Sequence, residues 1–387
     1  MTTGCSVASI AKAIGDFSDQ MTIGMKKTVR RHFREYLLGM MIPPEIRRKS
    51  ISNISSLVSL YDQSTLNRAF HAVDPDLLER NHINLLKSLI GDHRVQFIGD
   101  DTLLEHPGAS VMESVGWFHD RKKGKSVMAH QPVTSLLYDM DADRSYPFLI
   151  RLYRKIDDFP EEGEGDFRTK LQIMKEMEGI AHENFNVAGK TVDSWYSAFS
   201  FLDRNFVTEL KANRKVSLCN IGPITRNSRD MFLTMDEILE TTFVMFGKSG
   251  EALEDFPLYT ELKAFFTNGD PVNLIVLYNP GNGRKKFLAS DYLHGDELLQ
   301  AWNNRWPIET FHNDAKDLGM GEYQVRDGAG SLIHGRTTIA SYTLLSMMIK
   351  ASEKFFGKIV STIGECSRAV KERLILKRNY KWTLFSG

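Results

Sequence analysis

A chain of 387 residues with 42% hydrophobic and 25% charged residues has the composition of a folded protein of two or three domains. Forty-nine Lys and Arg balance forty-nine Asp and Glu, so net charge alone selects no polyanionic partner. Apolar runs such as residues 272–278 fall far short of the roughly 20 residues a membrane-spanning helix needs. Cys5, Cys219 and Cys366 form neither an even set nor a Cys-x-x-Cys pair. A disulfide framework and a zinc knuckle are thereby excluded, and a cytoplasmic, nucleoid-associated protein is expected.

Charge is unevenly spread along the chain. Between residues 25 and 49, Lys26, Lys27, Arg30, Arg31, Arg34, Arg47, Arg48 and Lys49 face only Glu35 and Glu45, a local excess of +6. From 367 to 387, Arg368, Lys371, Arg373, Lys377, Arg378 and Lys381 stand against Glu372, an excess of +5. Basic ends around a neutral or acidic middle suit a protein that grips phosphates at its periphery and binds metal at its centre. Solvated helix faces produce the same pattern.

Residues 1–90 read as a small helical domain, with segments near 29–39, 50–61, 64–72 and 76–91. Ser64 and Asp76 are the expected N-caps, and Pro43-Pro44 and Asp74-Pro75 the breaks. At Val95 the period changes, and Val95-Gln96-Phe97-Ile98-Gly99 is a short apolar strand ending in Asp100-Asp101. Stretches 114–119, 126–138 and 146–153 complete an antiparallel meander. The acidic, Gly-rich stretch 157–166 is a loop whose Asp166 caps a helix towards Phe185. A strand through Val192 leads to Asp193, followed by a helix over 196–203 and a strand over 206–218. Residues 222–270 have no clear period. Asn279-Pro280-Gly281-Asn282-Gly283 between two apolar stretches signals a hairpin, and helices fill 296–316 and 337–378. The outline is a mixed α/β nuclease core, with parts at 91–210 and 293–346, a β-rich insertion at 211–292 and a basic helical segment at 347–387.

Cleaving a phosphodiester with two divalent ions requires hard oxygen ligands that converge from separate elements. Asp101 ends a strand, Asp193 follows one, and Glu309 lies in the first turn of a helix; 92 and 116 residues separate them, so only the fold can unite them. Arg305, Glu309, His312 and Lys316 recur at helical spacing, which sets cations on either side of a carboxylate. Pro307 is tolerated only in a first turn, so Trp302 and Arg305 can belong to the preceding helix instead of a continuous one.

The segment from Trp302 to Lys316 resembles the Tyr-x2-Arg-x3-Glu-x6-Lys signature of insertion-sequence transposases of the DDE type, with Arg305, Glu309 and Lys316 in register and Trp302 in place of the Tyr. Gly99-Asp100-Asp101-Thr102 is similar to that group's first Asp element, and Val192-Asp193-Ser194-Trp195-Tyr196 to its second. The resemblance implies an RNase H-like catalytic core, two Mg²⁺ or Mn²⁺ ions held by Asp101, Asp193 and Glu309, and hydrolysis at an element's ends followed by attack of the freed 3′-OH on target DNA. Asp101 would bridge both ions, with Asp100 as the competing ligand. Its partners would be double-stranded DNA, as inverted-repeat ends and target, and a second copy of the chain in the DNA complex. Arg305, Lys316, Trp302 and His312 would meet the bound end, and the basic residues from Lys26 to Lys49 would recognise DNA. Packing in the core is the competing role for His312, Trp195, Trp302 and Trp306. A regulator that binds ends without cutting, and a nuclease that never joins strands, are the other readings.

Overall fold

The structure is a computed structural model that describes residues 7–42, 49–58, 61–109, 111–156, 167–243 and 255–374. Cys5, the Pro43-Pro44 break, Arg47, Arg48, the acidic loop at 157–166, and Lys377, Arg378 and Lys381 lie outside them. Five helices open the chain: α1 (Val7–Met21), α2 (Lys27–Met41), α3 (Ile51–Val58), α4 (Gln63–His71) and α5 (Pro75–Ile90). On α2, Val29, Phe33, Tyr36, Leu37 and Met40 recur at three- and four-residue spacing and are buried. The caps sit two residues before the expected ones. Asp62 accepts from Thr65 N to start α4, and Asp74 accepts from Asp76 N and Leu77 N to start α5, with Pro75 at its first position.

The sheet begins with β1 (Arg94–Asp101), β2 (Leu104–Glu105), β3 (Gly116–Asp120), β4 (Lys125–Asp139) and β5 (Arg144–Tyr153). Helix α6 (Lys170–Asn184) then crosses to β6 (Asn186–Val192) and β7 (Phe206–Glu209). β4 is antiparallel to both β1 and β5, whereas β6 lies parallel to β1 and β7 parallel to β6. The resulting order β5-β4-β1-β6-β7 is the RNase H-like arrangement, within a mixed α/β fold. Beyond β7 the same sheet continues through β12 (Arg284–Ser290), β11 (Pro271–Asn279), β10 (Leu258–Phe266), β8 (Lys215–Ser217) and β9 (Leu233–Thr234). The hairpin turns where it was expected, with Asn279 paired to Arg284 and Gly283 at φ +69°.

Several expectations are corrected. Helix α6 starts at Lys170 from a Thr169–Gln172 capping box and not from Asp166. Residues 196–203 form turns around the buried Tyr196 and Phe201 in place of a helix. The single strand over 206–218 is two, β7 and β8, and the stretch without period holds α7 (Met235–Phe243) and β10. The helices expected over 337–378 begin earlier, as α10 (Gly328–Lys350), followed by α11 (Ser352–Phe356), which ends at the left-handed Gly357, and α12 (Ile363–Leu374).

Helices α8 (Gly295–Asn303) and α9 (Pro307–Asp317) cover one face of the sheet, and α6 covers the other. α10 is buried along most of its length although it carries Thr337, Thr338, Ser341 and Thr343. Each hydroxyl donates to the carbonyl four residues back, at 2.7–3.0 Å, and so needs no other partner. The apolar residues of α1–α5 share one continuous core with α9, α10 and α12. The first 90 residues are thus packed as part of a larger body. Among the described residues no helix is long and apolar enough to cross a membrane.

Candidate active site

Side chains alternate along β1, so its two terminal acids point to opposite faces. Gln96, Ile98 and Asp100 lie on the α8/α9 face: Gln96 Nε2 donates to the carbonyl of Ala301, and Ile98 shares a core with Ile308 and Phe311. Phe97, Gly99 and Asp101 lie on the α6 face. A Cβ on Gly99 would sit 2.2 Å from Met174 Sδ, so only glycine lets α6 pack this closely beside the acids. Asp101 is fully occupied there. Lys170 Nζ donates to its Oδ2 at 3.1 Å, Gln131 Nε2 to the same oxygen at 2.6 Å, and Tyr196 OH to its Oδ1 at 2.9 Å. Lys170 also lies 4.3 Å from the centre of the Trp195 ring, which is 39% exposed.

Asp100 faces the helix that carries Glu309. Arg305 lies in the link between α8 and α9, and its guanidinium donates to Asp100 Oδ2 and to Glu309 Oε1, each at 3.2 Å. Trp302, the last buried residue of α8, supports Arg305 with its ring at 5.0 Å and also takes Lys286 at 5.3 Å. Trp306 is 68% exposed. His312 is buried and hydrogen-bonded through Nε2 to Thr134 Oγ1 at 2.7 Å, and Thr134 stands opposite Asp100 in the β1–β4 register. Burial, with Lys316 and Arg305 adding to it, lowers His312 to about 3. Ligand atoms of Asp100, Glu309 and His312 lie within 4.8 Å of one another.

Asp193 sits one residue past the end of β6, where its Oδ1 accepts from Trp195 N at 2.9 Å. Burial raises the Asp100 carboxyl well above the usual range, and the charge of Asp193 raises it further. Asp193 is itself raised by burial and by Asp101, against the pull of Arg305. The sequence reading missed Glu209, which ends the neighbouring strand β7 on the face of Val207 and α8. Burial and Asp193 raise it, while Lys286 and Arg305 oppose the shift. Acids therefore gather at the same ends of three adjacent parallel strands, Asp100 and Asp101 on β1, Asp193 just past β6 and Glu209 on β7, beside the link that holds Arg305 and the helix that holds Glu309. Hard oxygen donors crowded to the point of perturbing one another fit a divalent cation, which would remove the like-charge repulsion.

Residues 2–331 match a protein-family description, archaeal putative transposase ISC1217. The chain belongs to this transposase family. A cryo-EM structure of a piggyBac transposase synaptic complex with hairpin DNA is similar over 97% of this chain and 83% of that one, at 11% identity and a TM-score of 0.46. No curated protein matches the chain.

The other residues expected to touch DNA in this transposase divide by exposure. Lys26, Lys27 and Arg31 are exposed, the last over the Tyr61 ring at 4.8 Å, whereas Arg30 and Arg34 pair with Asp19 at 3.3 Å. Lys49 is turned inward. Only 4% exposed, its ammonium donates to the carbonyls of Gly39, Met40 and Ile42 and closes the end of α2. Lys316 is exposed on α9, where partial desolvation and the nearby Lys122 depress its ammonium. His312 and Trp302 are core residues with internal partners. Arg47 and Arg48 lie outside the described residues.

Proposed function

We propose that this transposase cuts DNA at the ends of an insertion sequence and joins the freed 3′-OH to target DNA, with Asp100, Asp193 and Glu309 holding its divalent ions. The observation that carries the proposal is the placement of Asp100 under α9, where its carboxylate shares a guanidinium with Glu309. Asp101, the first choice from sequence, is assigned instead to holding Lys170 and Tyr196 on the opposite face. Mg²⁺ or Mn²⁺ held at such oxygens supplies an activated oxygen nucleophile and charge compensation at the leaving oxygen.

The chain's own groups do the rest. Lys316, close enough to Glu309 to feel its charge and with Lys122 near it, offers positive charge for backbone phosphates of the bound end. His312, neutral and bonded to Thr134, fixes α9 against β4 so that Glu309 keeps its position relative to Asp100. The Asp101–Lys170–Trp195 stack anchors the start of α6 beside the turn that carries Asp193. Linear DNA carrying the inverted repeats that flank the coding region tests the proposal. Cut and joined products are expected with Mg²⁺ or Mn²⁺. Cut products alone would reduce the function to that of a nuclease, and shifted bands without cutting would make the protein an end-binding regulator.

A further inference from the structure

The guanidinium of Arg305 reaches both ion-holding carboxylates that it separates. Its two terminal nitrogens lie 3.2 Å from Asp100 Oδ2 and 3.2 Å from Glu309 Oε1, and the side chain is only 12% exposed. Ligand atoms of those two acids fall within 4.8 Å of one another, a span that one divalent ion with oxygen ligands at about 2.0–2.6 Å covers. A guanidinium and such an ion therefore compete for the same lone pairs.

Resting on the reading of Asp100 and Glu309 as ion ligands, we infer that Arg305 is the internal counter-ion of the DNA-free site. It holds the two carboxylates at their spacing, and cation entry displaces it onto a DNA phosphate. A planar fork of N–H donors suits both positions, since carboxylate and phosphate oxygens accept it in the same bidentate manner. The Trp302 ring, 5.0 Å from the guanidinium carbon, gives the side chain a surface to pivot on in either state. Cation loading and DNA binding are then coupled: DNA that draws Arg305 away tightens the ions, and by reciprocity the ions tighten DNA.

The test is a titration of the full chain with Mn²⁺, with free Mn²⁺ followed by electron paramagnetic resonance, in the presence and absence of a duplex oligonucleotide. Without DNA, Arg305→Ala binds Mn²⁺ at least tenfold more tightly than the wild type. The duplex tightens Mn²⁺ binding in the wild type and leaves the variant unchanged. Arg305→Lys, which keeps the charge on a single donor group, falls between the two and carries the comparison if Arg305→Ala lacks the wild-type circular dichroism. Equal or weaker Mn²⁺ binding by Arg305→Ala, or by Arg305→Lys in its place, overturns the counter-ion role. Glu309→Gln serves as the control: it loses Mn²⁺ affinity if the acids hold the ions, and unchanged affinity there overturns the acid-site reading itself.

Discussion

Replacing Asp101 by Asn removes a charge while keeping the volume, and strands the ammonium of Lys170. The two side chains are 15% and 10% exposed, so the lost pairing is not restored by water. Removing one partner of a buried pair costs about 3–5 kcal/mol. Here the Trp195 ring at 4.3 Å and the Tyr153 ring at 5.7 Å retain part of the attraction for Lys170, and the Asn oxygen still accepts from Tyr196. A net loss of about 2 kcal/mol is therefore expected, which lowers Tm by roughly 2.5 °C in a protein of this size. Asp100→Asn weakens one of the two pairings of Arg305, but the guanidinium keeps Glu309 at 3.2 Å and repulsion from Asp193 is relieved in a carboxyl already raised by burial, so a smaller loss, about 0.5 kcal/mol, is expected. Differential scanning calorimetry of the two variants without metal checks the contrast. If Asp101→Asn melts within about 1 °C of the wild type, or if Asp100→Asn is the more damaging, the division of the two acids between opposite faces is refuted.

His82 and His334 are buried and lowered from 6.5 to about 4 by burial. Their folded values lie below the unfolded one, so the unfolded chain gains protons first as pH falls. Stability present above pH 6.5 is lost between 6.5 and 4, about 3 kcal/mol for each ring. Urea unfolding at pH 7.5 and about pH 5 should show roughly 2 kcal/mol of this loss per ring, and His334→Gln should lose correspondingly less; an unchanged pH difference in the variant would show that the ring is solvated. Lys316→Ala should leave Tm unaltered and reduce the log–log salt slope of DNA binding by about one, whereas a lower Tm with the wild-type slope would make it a helix brace. An isolated fragment of residues 1–90 should be largely unfolded by circular dichroism, because its core is completed by α10 and α12; a cooperative melt would refute that dependence.

Much of this was written in local pattern. The strand before Asp100, the Asn279–Gly283 hairpin and the Pro307 break each follow from a short-range rule, and they appear where the rule puts them. The choice between Asp100 and Asp101 was not legible. Both faces of β1 are apolar, with Phe97 on one and Ile98 on the other, so alternation told that the acids diverge but not which one meets α9. Lys49 read as one more cation in a basic run, because its burial depends on where the end of α2 lies in three dimensions. Glu209 was hidden by the missed end of β7, since nothing in 206–218 marks a strand that stops after four residues. α10 escaped detection at its start because Gly328, Gly330 and Gly335 weaken the helical signal. At Gly335 the glycine answers a packing need: a Cβ there would lie 2.8 Å from Ile150 on β5.

The most direct measurement is cleavage of end-bearing DNA by Asp100→Asn and Asp101→Asn, side by side, at a temperature well below both melting points. Asp100→Asn is expected to lose at least a hundredfold in rate, about 2.7 kcal/mol of barrier, while Asp101→Asn keeps more than about a tenth of wild-type activity. An Asp100→Asn enzyme that cuts at wild-type rate, beside an inert and still folded Asp101→Asn, would contradict the assignment of Asp100 to the ions.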